Sequence, residues 1–318
     1  MRCPYQKEIR LTGGARKGQL QTVPCGKCGA CLTNRRNDWA LRLKEEERCS
    51  LNAFFVTLTY AEQVLPISDT GFPTLVKKHL QDFLKRLRHH VNKMPIEDYN
   101  YEMATAFESH EERLKEAFKG VRYYAVGEYG EHTYRPHYHL LLFNVPIPIM
   151  ENLPQVWNYG LCHVGKVEQR SIMYCLSYHI TANKKGSEKM ERAPEFQTMS
   201  RNPGIGHTYV SDYGSWKQKA GTMYVVNDGY KLRMPRYWKD KIFSEEQRAH
   251  LTEKIIQKVE ADQKKWLDSL EKFPNYNRGF DGQNDHLRLE ENKRCYAHSL
   301  DLRQAEAQFK KIVKNHKI

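Results

Sequence analysis

Apolar positions change period several times along the chain, and each change marks an element. Leu32 to Arg48 reads as a basic helix with Trp39 and Leu43 on one side and Arg35, Arg36, Arg42 and Lys44 around it. The run Phe54-Phe55-Val56-Thr57-Leu58-Thr59-Tyr60 is β-branched and aromatic with partial alternation, which predicts a strand buried on at least one face. Pro66, Asp69, Gly71 and Pro73 mark the loop after it. Leu80, Phe83, Leu84 and Leu87 then fall at the i, i+3, i+4, i+7 spacing of a core-facing helix, with Thr74 as its expected N-cap. The opposite side of that helix carries Lys77, Lys78, Lys85, Arg86 and Arg88. Residues 91–120 are polar and read as an insertion.

Farther on, 121–130 and 137–143 form two strand-like runs joined by Glu131-His132-Thr133-Tyr134-Arg135-Pro136, the pattern of an antiparallel hairpin. Gly160 to Val167 predicts a short strand, and Ser171 to Asn183 a helix capped by Ser171. A loop-rich stretch follows, after which Ser244 and Gln247 fit a capping box. Leu251, Ile255, Val259, Trp266 and Leu270 mark one face of the helix they open. These breaks divide the chain into a Cys-rich module with a basic helix (1–50), a central domain (51–243) and a charged helical region (244–318).

Composition narrows the partners. The 318 residues carry 51 Lys+Arg against 38 Asp+Glu, a net charge of +13 that favours approach to a phosphate backbone through counterion release. No stretch approaches the roughly 18 consecutive apolar residues of a membrane span, and Met1-Arg2-Cys3-Pro4 lacks the apolar run of a secretory signal. A cytoplasmic protein with no membrane partner is expected, so its eight cysteines are expected to be metal ligands or free thiols rather than disulfides.

The sharpest local chemistry is Arg135-Pro136-His137-Tyr138-His139. Side chains alternate on a strand, so His137 and His139 share one face and Tyr138 takes the other. Folding the hairpin brings Glu128, in Gly127-Glu128-Tyr129-Gly130, opposite one of the histidines. Two imidazoles and one carboxylate leave coordination positions open, as a catalytic metal requires, and suit Mg²⁺ or Mn²⁺. An isolated H-x-H is also what two hydrogen-bonded sheet histidines look like. Tyr174 and Tyr178 are four apart and therefore stack on one helix face, either as two nucleophiles of one site or as two core aromatics. Lys184 and Lys185 lie close enough in sequence to assist a phenolate.

Taken in order, Phe54 to Tyr60, Gly127-Glu128-Tyr129-Gly130, Arg135-Pro136-His137-Tyr138-His139 and Tyr174-x-x-x-Tyr178 resemble the motifs of HUH replication initiators. Three further segments are similar to those of gokushovirus and related microvirus replication initiation proteins. They are Pro24-Cys25-Gly26-Lys27-Cys28-x-x-Cys31, Ser200-Arg201-Asn202-Pro203-Gly204-Ile205-Gly206 and Pro235-Arg236-Tyr237. The resemblance implies an α+β fold, a central antiparallel sheet with helices packed on it. It implies metal ligation by Glu128, His137 and His139, and two tyrosine nucleophiles, Tyr174 and Tyr178. The activity implied is a rolling-circle initiator, a DNA endonuclease that nicks single-stranded DNA at a bacteriophage origin through a covalent 5′-phosphotyrosine. Such an enzyme would work in the bacterial host cytoplasm with host helicase and polymerase, and no nucleotide-binding loop of its own is present. Related two-tyrosine helices often carry a lysine three residues after each tyrosine. Here those places hold Ser177 and Thr181, which leaves the role to Lys184 or vacant.

Cys3, Cys25, Cys28 and Cys31 could supply four thiolates to a structural Zn²⁺, or be free structural thiols. Lys85, Arg86, Arg88 and Arg201 suit phosphate contacts, with Gly204 and Gly206 letting backbone N–H groups approach DNA. A solvated helix face and an ordinary turn account for the same residues.

Overall fold

The computed structural model describes residues 3–13, 17–95, 98, 120–181, 192–227 and 229–270. The chain divides into two compact units, residues 39–212 and residues 1–38 with 213–318. The elements in chain order are β1 (Lys7–Arg10), β2 (Leu20–Val23), α1 (Gly29–Arg48), β3 (Ala53–Thr59), α2 (Lys77–Lys93), β4 (Arg122–Tyr129) and β5 (Pro136–Phe143). Two short helices follow, α3 (Ile147–Glu151) and α4 (Leu153–Trp157), then β6 (Cys162–Lys166), α5 (Gln169–Thr181), β7 (Phe196–Met199) and α6 (Thr208–Ala220). The remainder is β8 (Tyr224–Asn227), β9 (Tyr230–Arg233), α7 (Arg236–Ile242) and α8 (Glu245–Leu270).

Unit 39–212 is built on a five-stranded sheet ordered β6-β3-β5-β4-β7, every neighbouring pair antiparallel. Residues directly opposite in such pairs share a face, so the register assigns each side chain to a layer. Val56, Leu58, Tyr138 and Leu140 face one side and pack with Leu80, Phe83, Leu84 and Leu87 of α2 and Trp157 of α4. Tyr124, Val126, Leu141 and Phe143 face the other and pack with Leu43 of α1, Ile172, Cys175 and Leu176 of α5, and Ile205. Each fully buried side chain contributes roughly 1.5–3 kcal/mol, so both layers depend on the period-2 pattern that places them.

Tyr138 is wholly buried, in place of the outward-facing residue that the spacing between the histidines suggests. Its hydroxyl meets Tyr60 Oη at 2.8 Å, accepts from Val76 N–H and donates to Val76 C=O, both at 3.0 Å. This buried phenol supplies the cap that was expected from Thr74. Helix α2 starts at Lys77 with Val76 as N-cap, while Thr74 Oγ1 accepts Ala193 N–H at 3.1 Å. Helix α5 likewise starts two residues before Ser171, whose hydroxyl accepts the Glu168 N–H at 3.2 Å. The Ser244–Gln247 capping box forms as expected, with reciprocal bonds of 3.0 and 3.2 Å. Of the apolar stripe it opens, Ile255 and Val259 stay about half exposed, and the side chains of Trp266 and Leu270 lie outside the described residues. Among the described residues no helix is long and apolar enough to cross a membrane.

In the other unit, β1 and β2 form a two-stranded ribbon and β8 and β9 a second one. The short strands β1, β2, β7, β8 and β9 are not evident in the hydrophobic pattern, because four-residue edge segments with mixed exposure carry too few alternations to register.

Candidate active site

The site begins with the β4–β5 register. Glu128 pairs with His137 and Val126 with His139, and on the other side of β5 Thr57 pairs with His139. All of these side chains therefore rise from the face that α5 covers. Glu128 is 2% exposed, and its Oε1 lies 2.7 Å from His137 Nε2 and 2.8 Å from His139 Nε2. The orientation of each ring is set from behind. His137 Nδ1 lies 3.0 Å from the Arg135 carbonyl, and His139 Nδ1 lies 3.0 Å from Thr57 Oγ1. Phe55 stacks on His139 with ring centroids 5.6 Å apart and planes within 3°.

This arrangement calls for a positive charge between the three side chains. A carbonyl only accepts, so His137 carries its proton on Nδ1, and a neutral ring then aims the Nε2 lone pair at a carboxylate oxygen. Two acceptors at hydrogen-bond distance require either an imidazolium proton or a cation between them. Burial works to raise the Glu128 pKa, but hydrogen bonds from His137 and His139 outweigh it and hold the group at about 2. The second carboxylate oxygen, Oε2, is buried with no hydrogen-bond partner. An unsatisfied buried oxygen beside two inward-facing nitrogens fits a divalent cation better than a closed hydrogen-bond network. Glu128, His137 and His139 converge closely enough to ligate one ion.

Tyr174 reaches the same point from α5. Its hydroxyl donates to Glu128 Oε1 at 2.9 Å and lies 3.4 Å from His139 Nε2. Its ring meets His139 edge-on at 4.9 Å and Phe55 at 6.2 Å, while 40% of the residue stays open to solvent. Burial of the hydroxyl pushes the phenol pKa well up, and the adjacent Glu128 carboxylate pushes it further. Ionising Tyr174 therefore needs added positive charge at the triad. The backbone at Tyr178 continues α5; its side chain, and Lys184 and Lys185, lie outside the described residues.

Thr57 and Phe55 escape a reading of the sequence as site residues, since only the β3–β5 register reveals them. A strand that carries Thr and Phe on alternate positions beside an H-x-H strand is the signal that could have found them. The expected basic residues do not gather at the triad. Helix α2, with Lys85, Arg86 and Arg88, packs on the opposite face of the sheet. Arg86 is tied to the end of α4, donating to Val156 C=O at 2.9 Å and to Asn158 Oδ1 at 2.9 Å. Arg88 lies over the Tyr123 ring at 5.4 Å, and Lys85 is exposed.

The Ser200–Gly206 segment is a packing plug rather than an open loop. Arg201 is exposed, but Ile205 is fully buried and Gly206 N–H donates to Glu46 Oε2 at 2.6 Å. Gly206 is left-handed (φ 70°), and a Cβ there would come within 2.7 Å of the Arg42 carbonyl. Glu46 also pairs with the buried Arg122, which donates to Pro203 C=O at 3.0 Å. Close backbone packing against α1, not approach to a ligand, accounts for Gly206.

Two further clusters of metal-ligand types occur among the described residues. Glu45, Cys49 and Asp212 surround Arg48, whose guanidinium lies 2.8 Å from Glu45 and 2.9 Å from Asp212 and supplies the charge there. Cys3, Cys25, Cys28 and Cys31 converge at the start of α1. The Lys27 N–H is the largest cause lowering the Cys25 thiol to about 6, whereas burial pushes Cys31 up to about 12.

Residues 53–184 match a family model for replication-associated proteins of the ORF2 type, a span that holds Thr57, Glu128, His137, His139 and Tyr174. The chain is 27% identical over 251 residues to Replication-associated protein ORF2 of Spiroplasma virus 4, covering 70% of each. It is 26% identical over 250 residues to Replication-associated protein ORF4 of Chlamydia phage 1, covering 70% of this chain and 55% of that one. It is 24% identical over 279 residues to Replication-associated protein VP4 of Bdellovibrio phage phiMH2K, covering 80% and 81%. No solved structure matches. The resemblance to phage replication proteins that the motifs carry is thus also a resemblance of most of the chain.

Proposed function

We propose that this chain, similar over most of its length to phage replication-associated proteins, is an HUH-type rolling-circle initiator that nicks single-stranded DNA at a phage origin by tyrosine attack. The observation that carries the reading is the Tyr174 hydroxyl, 2.9 Å from Glu128 Oε1 and 3.4 Å from His139 Nε2, beside a triad that calls for a positive charge. Glu128, His137 and His139 would hold Mn²⁺ or Mg²⁺, the two nitrogen donors favouring Mn²⁺. A bound ion of this kind polarises a phosphate oxygen and offsets the charge of a phenolate.

In the chemistry proposed, Tyr174 Oη forms a bond to phosphorus as the bond from phosphorus to the 3′ oxygen breaks. The phenol proton departs toward the Glu128 side of the site, where its hydrogen bond already points, and the leaving 3′ oxygen takes up a proton from solvent. The product is a free 3′ hydroxyl and a 5′-phosphotyrosine. One phosphodiester is exchanged for another, so a later hydroxyl can reverse the step without an external energy source. Arg135 C=O and Thr57 hold the imidazoles in place, and the stacked Phe55 keeps water from one face of His139. Tyr178, one helical turn on, is the natural second nucleophile for termination, with Lys184 and Lys185 near it in sequence. The net charge of +13 supports a nucleic-acid partner. Host helicase and polymerase would complete replication in the bacterial cytoplasm.

The test is to incubate the protein with labelled single-stranded origin DNA and Mn²⁺ or Mg²⁺, comparing wild type, Tyr174→Phe, Tyr178→Phe and the double variant on denaturing gels. A covalent band that needs metal and disappears in the double variant supports the two-tyrosine mechanism. DNA binding without any covalent band, under either metal, would replace it with a non-catalytic binding role.

A further inference from the structure

We propose that Cys3, Cys25, Cys28 and Cys31 hold one structural Zn²⁺ that pins the β1–β2 ribbon to the first turn of α1 in place of a hydrophobic core. The inference does not rest on the nicking reading, because none of the four cysteines belongs to the Glu128 triad.

The sulfur geometry carries the argument. All four Sγ atoms lie within 4.8 Å of one another, with Cys3–Cys28 at 3.7 Å and Cys25–Cys31 at 4.0 Å. A tetrahedral ion with Zn–S bonds of about 2.3 Å spaces its sulfurs about 3.8 Å apart. Disulfides would bring two of them to about 2 Å, and all four are free. An iron–sulfur cluster places its own iron and sulfide between the thiolates and holds them farther apart than one ion does. Thiols are weak donors, so four of them turned toward a common centre gain little from each other. As thiolates they would repel, and a dication removes that repulsion. Two backbone groups already point at the sulfurs as they would at thiolates: Cys25 N–H to Cys3 Sγ at 3.2 Å and Cys28 N–H to Cys25 Sγ at 3.3 Å.

The placement of the cysteines says what the ion does. Cys3 lies before β1, Cys25 directly after β2, Cys28 directly before α1 and Cys31 in its first turn. One ion would therefore join both ends of the ribbon to the helix start. The ribbon has little else to hold it. Every residue of β1 is exposed, Leu20 is 61% exposed and Tyr5 57% exposed. A segment that buries so little apolar surface needs a cross-link to stay ordered, and a structural metal supplies one.

The experiment uses the full-length chain purified without chelator. Elemental analysis should find about one zinc per chain, and replacement with Co²⁺ should give intense thiolate-to-metal absorption of a tetrahedral site. Cys28→Ser should lose the zinc, whereas His137→Ala should keep it. Should Cys28→Ser fail to fold, wild type decides: releasing zinc with a chelator should expose four thiols to a thiol reagent and open residues 3–28 to protease. Iron with visible colour, or four reactive thiols and a protease-resistant N-terminal segment in zinc-free protein, overturns the proposal. So does zinc that is lost in His137→Ala and kept in Cys28→Ser.

Discussion

Replacing Glu128 by Gln keeps the side chain's shape and removes its charge. At the triad the new amide can donate to His137 Nε2 and His139 Nε2, which now face Oε1 at 2.7 and 2.8 Å, so the metal-free protein should still fold. What it loses is the only carboxylate among the three ligands. Changing a residue behind a metal ligand typically costs 10- to 100-fold in affinity, and losing the charged ligand itself should cost at least about 100-fold. Ion binding stabilises the folded chain by mass action. At a metal concentration of about 100 times the wild-type Kd the gain is about 2.7 kcal/mol, and after a 100-fold loss it is about 0.4 kcal/mol. At roughly 2–4 °C per kcal/mol for a chain of this size, Mn²⁺ should raise the wild-type Tm by about 5–10 °C and that of Glu128→Gln by about 1 °C. Thermal unfolding across a Mn²⁺ series measures both. An equal metal-induced shift in the two proteins would show that Glu128 is not a ligand. A wild type that neither Mn²⁺ nor Mg²⁺ stabilises would remove the metal from the site.

Other substitutions test the frame that holds the triad. Tyr138→Phe removes a buried hydroxyl bonded to Tyr60 and to both backbone groups of Val76 and should cost about 1–3 kcal/mol in urea unfolding; an unchanged midpoint would mean that α2 does not depend on this cap. Glu46→Ala leaves Arg122 buried without its carboxylate and Gly206 N–H without its acceptor, so a loss of about 3–5 kcal/mol is expected. A loss below about 1 kcal/mol would show that the 200–206 plug is held by its apolar contacts alone. Acid titration of metal-free protein probes Glu128 directly. Its folded pKa, near 2, lies below the ordinary 4.5, so its contribution is fully present above pH 4.5 and is lost as the pH falls toward 2. Stability curves of wild type and Glu128→Gln should therefore converge on acidification through that window, and parallel curves would contradict the assignment.

The parts of the site written in local periodicity were legible without coordinates. Alternation on 137–139 fixes two imidazoles on one face, and a six-residue connection between two strand patterns is enough to bring Glu128 across from His137. Helical spacing likewise turns Tyr174 inward. The parts that depend on pairing between distant segments were not. Thr57 meets His139 across 82 positions of sequence, and nothing near either residue encodes that register. Gly204 and Gly206 look like a loop open to phosphate, yet the Glu46 carboxylate and the Arg42 backbone occupy the space around Gly206. Arg86 looks like a phosphate ligand, and the carbonyl end of α4 consumes its donors. A charge or a glycine states what a residue can do; the partner that uses it comes from elsewhere in the chain.

By itself, then, the sequence determined the element types, the ligand set of the triad and the helix face of Tyr174, because strand and helix periods act over a few residues. Tertiary structure alone decided the rest: which way each imidazole tautomer points, which cations remain at the surface, and that Tyr138 caps a helix rather than facing out. These depend on strand order and register, and on the rule that every buried polar group must find a partner wherever the fold provides one.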